Sequence, residues 1–151
     1  MKKQNIPEEI FALITEEEIN IFQELQIKIK ELNNKINLTR LIDGNDYWVS
    51  QVFDSIWPFK SFPNINFNNK KFLDIGSGCG FPGLAYAIIH PNSEIYLIDS
   101  SKKKTDALKI LIKEINLKNN IRVINDRIEN FAHQSSMRNS FNIATTRAVS
   151  N

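Results

Sequence analysis

The chain has 151 residues, 42% of them hydrophobic and 24% charged, which is enough to bury a core and ordinary enough for one soluble globular domain, alone or with a small helical cap. A formal net charge of +2 announces neither nucleic acid nor a membrane surface as a partner, so any such case rests on local clusters. The single cysteine, Cys79, excludes an internal disulfide framework or a cysteine zinc site. No stretch is long enough for a membrane span, and the Met1 end lacks a signal-peptide apolar run, so the cytoplasm is the expected location.

In chain order, residues 1–60 read as a helical region. Thr15 and Glu18 have the spacing of a capping box, after which Ile19, Phe22, Leu25, Ile29 and Leu32 recur on one helical face. After an Asp43-Gly44-Asn45 turn, a second helix is predicted from Asp46 to Ile56. Pro58, Pro63 and the asparagine-rich stretch Asn64–Asn69 read as a connection. From residue 61 to 151 the pattern changes to βα units, which predicts an α/β fold with a parallel sheet covered on both faces. The strands are expected at Phe72–Ile75, Glu94–Ile98, Ile121–Asn125 and Phe141–Thr146. One helix runs from Pro82 until His90-Pro91 stops it; another is capped by Ser101 and presents Leu108, Leu111, Ile112 and Ile115 on one face.

The first strand runs into Asp74-Ile-Gly-Ser-Gly-Cys-Gly-Phe-Pro-Gly83, a D-x-G-x-G-x-G loop whose glycines Gly76, Gly78 and Gly80 permit backbone angles closed to other residues. Asp74 two places before the first glycine favours S-adenosylmethionine over a dinucleotide. The nested Gly78-x-Gly80-x-x-Gly83 still fits a dinucleotide site. Asp99, about twenty residues on, is placed to accept the ribose hydroxyls of an adenosine-containing cofactor. In open parallel sheets ligands sit beyond the carboxyl ends of the strands. There this chain gathers the glycine loop, Asp99, Asp126-Arg127-Ile128-Glu129 and Arg147. Lys102, Lys103 and Lys104 crowd a helix start, where the macrodipole disfavours cations. A solvated lysine run accounts for them, as does an anionic partner, for which RNA is the candidate. Cys79 reads as a small residue in a crowded turn, and His90 and His133 as surface residues. No metal-ligand spacing is present.

These residues resemble the RsmG (GidB) family of methyltransferases, which use S-adenosylmethionine to methylate N7 of a guanine in small-subunit ribosomal RNA. The resemblance lies in Asn34-Lys-Ile-Asn-Leu-Thr39, taken as the N-terminal helical signature, and in Phe53-Asp-Ser55. It continues in the loop from Asp74 to Gly83, in Asp99-Ser100-Ser101 with Lys103, in Arg127-Ile-Glu129 and in Thr146-Arg-Ala148. It implies a Rossmann-like class I methyltransferase sheet with strand order 3-2-1-4. It also implies cofactor contacts from Gly76, Gly78, Phe81, Asp99, Ser100, Ser101, Ile128, Glu129 and Arg147, and RNA contacts from Lys103, Arg127 and Arg147. The implied partner is ribosomal RNA or the small ribosomal particle, met by a monomer and without a metal.

Gln51 stands where the family often has histidine, and Asn142 where it often has aspartate. At roughly thirty residues per βα unit, the region from Lys71 holds three units and a last strand, so strands five to seven are expected to be absent. Strand four is then an open edge, and a fragment keeping part of the cofactor pocket with little turnover is the expectation. Two alternatives stand beside the enzyme: a non-catalytic RNA- or ribosome-binding module, and an NAD-binding dehydrogenase fragment.

Overall fold

A computed structural model describes residues 6–117 and 120–147. Ala148 of the quoted Thr146-Arg-Ala motif lies outside them. Helix α1 (Glu8–Phe11) leads into α2 (Glu16–Asn33), which starts at a complete capping box. The Thr15 N–H donates to Glu18 Oε2 at 2.6 Å and the Glu18 N–H to Thr15 Oγ1 at 3.2 Å, satisfying two donors that a helix start otherwise leaves bare. Ile19, Phe22, Leu25 and Ile29 are buried along one face, as the periodicity predicts.

The second helical stretch is longer than expected and has three parts: α3 (Gly44–Tyr47), a π-helical turn (Trp48–Phe53) and α4 (Asp54–Lys60). Pro58 therefore lies inside α4 rather than in the connection. Its ring is exposed, and the turn around it is closed by a Ser61 N–H to Trp57 O bond of 2.9 Å. Asn34–Thr39, the signature segment of the N-terminal helical region, is a loop after α2. The Asn33 carboxamide folds it by accepting the N–H groups of Leu38 and Thr39 at 2.8 and 3.0 Å.

Strands β1 (Lys71–Ile75), β2 (Glu94–Asp99), β3 (Asn120–Asn125) and β4 (Ile143–Thr146) form one parallel sheet in the order β3-β2-β1-β4. Asn142 precedes β4 and ties it to β1, its side-chain oxygen accepting the Lys71 N–H at 2.9 Å. Alternation along the strands divides the sheet into two faces. Phe72, Ile95 and Leu97 point toward α5 (Gly83–Ile89), α6 (Lys102–Glu114) and the N-terminal helices, in one core that runs from Phe22 and Tyr47 to Leu108. Leu73, Tyr96 and Ile98 point the other way, into a smaller cluster closed by Phe131 of α7 (Ile128–Ala132). Among the described residues β4 pairs with β1 alone. No described helix is long and apolar enough to cross a membrane.

His90 is not a surface residue. It is buried in an aromatic group with Tyr86, Phe59 and Phe67, and its Nδ1 lies 2.9 Å from Asn68 Oδ1. Burial, assisted by the Lys60 charge, lowers its pKa to about 4. Asp74, fully buried between β1 and α5, is raised by burial to about 6, with hydrogen bonds from the Gly83 N–H and the Thr145 hydroxyl opposing the rise.

The two groups act on stability in opposite senses. Neutral His90 contributes stability that is complete above its unfolded value near 6.5 and is lost as pH falls toward 4. Protonated Asp74 contributes stability that is complete below its unfolded value near 3.8 and is lost as pH rises toward 6. Removing the second exposes the first. Urea unfolding of Asp74→Asn should therefore show stability climbing more steeply from pH 4 to 6.5 than in the parent chain, and an unchanged slope would contradict the burial of Asp74.

Candidate cofactor and RNA site

The turn after β1 is built from the backbone outward. The N–H groups of Gly76 and Ser77 both donate to Ile98 O, at 2.8 and 3.0 Å, so the turn is stitched to the end of β2. Gly76, Gly78 and Gly80 have φ of 72°, 56° and 104°, left-handed backbone that favours glycine. A Cβ on Gly78 would meet nothing closer than Gly76 O at 3.8 Å, so the outer side of the turn is bare, open backbone. On the inner side a Cβ on Gly80 would strike Leu84. Cys79 is buried there, and burial pushes its thiol up, as suits a packing residue.

Asp99, 8% exposed, closes β2 and faces this turn. Its Oδ2 accepts the Gly78 N–H at 2.9 Å and its Oδ1 accepts the Ser101 N–H at 2.8 Å. A carboxylate has about four lone-pair sites, so each oxygen retains one for a ligand hydroxyl. Ser101 is the residue before α6, but its side chain makes no capping bond; its own N–H is held by Asp99, which ties the start of α6 to the end of β2. Asn125, which sequence reasoning passed over, locks the ends of β2 and β3 together by donating to the carbonyls of Asp99 and Ser100, each at 3.0 Å. Asp126, also at the rim, is engaged locally, accepting from the Arg127 N–H and the Asn130 carboxamide.

The other predicted residues divide between rim and core. Arg127 and Glu129 are exposed at the start of α7, and Ser100 and Lys103 at the start of α6. Ile128 is half-buried against the smaller core. Phe81 is 3% exposed, its ring meeting Tyr47 edge to face at 5.8 Å, so its side chain belongs to the core. Of the three lysines, Lys102 pairs with Asp106 at 2.7 Å, whereas Lys103 has no carboxylate partner among the described residues.

Arg147 follows β4 at the point where strand order reverses between β1 and β4, the position where open α/β sheets hold ligands. Its Nη1 donates to Ser50 O at 2.9 Å and its Nη2 to Gln51 Oε1. Gln51 in turn donates from Nε2 to Thr39 Oγ1 at 3.1 Å and to Cys79 Sγ at 3.5 Å. The site thus joins β4, the glycine turn, the π-helical turn and the loop after α2.

Residues 18–151 match the family model described as rRNA small subunit methyltransferase G, GidB. The chain belongs to that family. Ribosomal RNA small subunit methyltransferase G of Prochlorococcus marinus strain AS9601 is 87% identical over 151 residues, which is 100% of this chain and 64% of that relative. The protein of the same name from Prochlorococcus marinus subspecies pastoris is 70% identical over 151 residues and 63% of its own length. The chain spans less than two thirds of the length of these relatives. A solved precorrin-6y C5,15-methyltransferase from Geobacter metallireducens aligns with 58% of this chain and 42% of its own, at 14% identity and a TM-score of 0.43. Within the RsmG family, then, stands a chain with the glycine turn, the Asp99 carboxylate and the Arg147 guanidinium at one end of its sheet.

Proposed function

We propose that this rim binds S-adenosylmethionine and that the protein methylates N7 of a guanine in small-subunit ribosomal RNA. The observation that carries the reading is the bare outer backbone at Gly78 facing an Asp99 carboxylate that keeps acceptor capacity. The cofactor supplies a methyl group on a sulfonium sulfur. Asp99 accepts the ribose hydroxyls, and the turn from Gly76 to Gly80 admits the ligand against the main chain. Ser100, Ser101, Ile128, Glu129 and the Phe81 backbone complete the cofactor contacts.

Guanine N7 presents a lone pair and loses no proton on methylation, so the chain needs no general base. The Arg147 guanidinium, which has hydrogen-bond donors and no acceptor, serves by charge and not by proton transfer. What the protein contributes is alignment, which in the best intramolecular cases is worth about 7–11 kcal/mol. Lys103, Arg127 and Arg147 hold the RNA phosphates and the target guanine, which makes affinity fall steeply with salt. The partner is the small ribosomal particle in the cytoplasm, met by a monomer.

The test is tritium transfer from S-adenosylmethionine to small subunits from cells lacking this modification, followed by base analysis. Label confined to N7-methylguanine, at well under one turnover per chain, is the expected result. Label in another base refutes the assignment, and RNA binding with no effect of S-adenosylmethionine on the melting temperature marks a non-catalytic RNA-binding module.

A further inference from the structure

We infer that Gln51 is the positioning residue of Arg147, holding the guanidinium in place at the mouth of the cofactor site with an uncharged acceptor. A guanidinium only donates hydrogen bonds, so the Gln51 carboxamide must present its oxygen to Arg147. The amide nitrogen is then directed at Thr39 Oγ1 and Cys79 Sγ, as the distances of 3.1 and 3.5 Å record. Both ends of the amide are committed, and at 2% exposure the side chain is enclosed. Turned over, the amide would set two donors against the guanidinium and leave its oxygen facing the thiol.

The backbone is shaped for the same contact. Ser50 and Gln51 both lie in the π-helical turn, and the carbonyl of one and the side chain of the other receive the two Nη atoms of Arg147. Wide turns of this kind recur at functional positions. Both of these acceptors are neutral. Among the described residues no carboxylate forms an ion pair with Arg147, though its charge is felt by the buried Asp74 and lowers the pKa of that carboxyl. Its orientation is fixed by neutral acceptors, which leaves the guanidinium able to meet an anionic group arriving at the rim. The Nε2 contact with Cys79 carries the same restraint into the glycine turn.

The effect on affinity rests on the proposed cofactor site; the positioning of Arg147 does not. Two measurements on the full chain separate them. In nitrogen-15 spectra the Nη protons of Arg147, identified by their loss in Arg147→Lys, should be resolved and slow to exchange. Gln51→Met, with its backbone amide spectrum otherwise unchanged, should lose the Nη2 signals while Ser50 O keeps those of Nη1, and Gln51→Glu, which keeps the acceptor, should retain both sets. Persistence of both sets in Gln51→Met overturns the inference. Should Gln51→Met fail to fold, loss of the signals in Gln51→Glu overturns it equally.

In calorimetry with S-adenosylhomocysteine, Gln51→Met and Arg147→Lys should each weaken binding about tenfold, as expected for one hydrogen bond to a charged group. The double variant should be no weaker than the worse single one. Losses that multiply show that Gln51 acts independently of Arg147 and overturn its positioning role. A parent chain that binds no S-adenosylhomocysteine refutes the proposed function, while the arginine spectrum still decides the role of Gln51.

Discussion

Gly83→Ala is expected to destabilise the chain by about 3 kcal/mol, at the upper end of the ordinary cost of overpacking a core. On an open helix surface the same change is stabilising by about 1 kcal/mol, because alanine is the better helix former. Packing reverses the sign here. A Cβ at Gly83 would overlap Leu97 of β2 and come within 2.8 Å of the Asp74 carboxylate, which is itself fixed by the Gly83 N–H at 3.0 Å. Leu97 and Asp74 are both fully buried, so neither has room to retreat. Gly44→Ala is the companion experiment. There φ is 46° and nothing lies within 4 Å of the added Cβ, so only the left-handed backbone resists, at about 1 kcal/mol. Urea melts of the two variants should differ by about 2 kcal/mol; equal losses would mean that close approach of α5 to the sheet is not what Gly83 supplies.

Asp99→Ala should weaken S-adenosylmethionine binding about 100-fold, the equivalent of losing one or two hydrogen bonds to a charged acceptor. Two effects add. The ribose hydroxyls lose their acceptor, and the N–H groups of Gly78 and Ser101 lose the carboxylate that holds the turn and the start of α6 together. Asp99→Asn retains one oxygen and should fall between the two. Lys103→Ala provides the contrast, since its side chain is exposed and takes no part in the hydrogen bonds of Asp99. It should leave cofactor affinity unchanged within about twofold while weakening RNA and reducing the salt dependence of binding. Calorimetry in which Asp99→Ala and Lys103→Ala lose cofactor affinity equally would dismantle the division of roles between them.

Local pattern explains what was legible in the residues alone. The capping box at Thr15 and Glu18, the stripe from Ile19 to Ile29 and the four apolar strands are set by neighbours within a turn or a pleat, and the structure shows them close to where they are expected. The glycine turn was legible for the same reason, its conformation being written in consecutive residues.

What escaped was built across the chain. Gln51 reaches Arg147 over 96 positions, Cys79 over 28 and Thr39 over 12, and no periodicity encodes such a convergence. The π-helical turn that carries it has no spacing signature of its own. His90 next to a proline looks like the end of a helix in solvent, yet Phe59 and Phe67 come from a distant segment to enclose it. Ser101 has the right residue type and position for a helix cap, but its side chain makes no capping bond; what is held is its own N–H, by the Asp99 carboxylate two positions earlier.

The most direct measurement is a crystal structure of this chain grown with S-adenosylhomocysteine. The ribose hydroxyls should lie on the Asp99 carboxylate, with the ligand against the backbone of Gly76 to Gly80 and Arg147 still held by Ser50 and Gln51. A ligand bound elsewhere on the chain, with the Asp99 carboxylate untouched, would contradict the account.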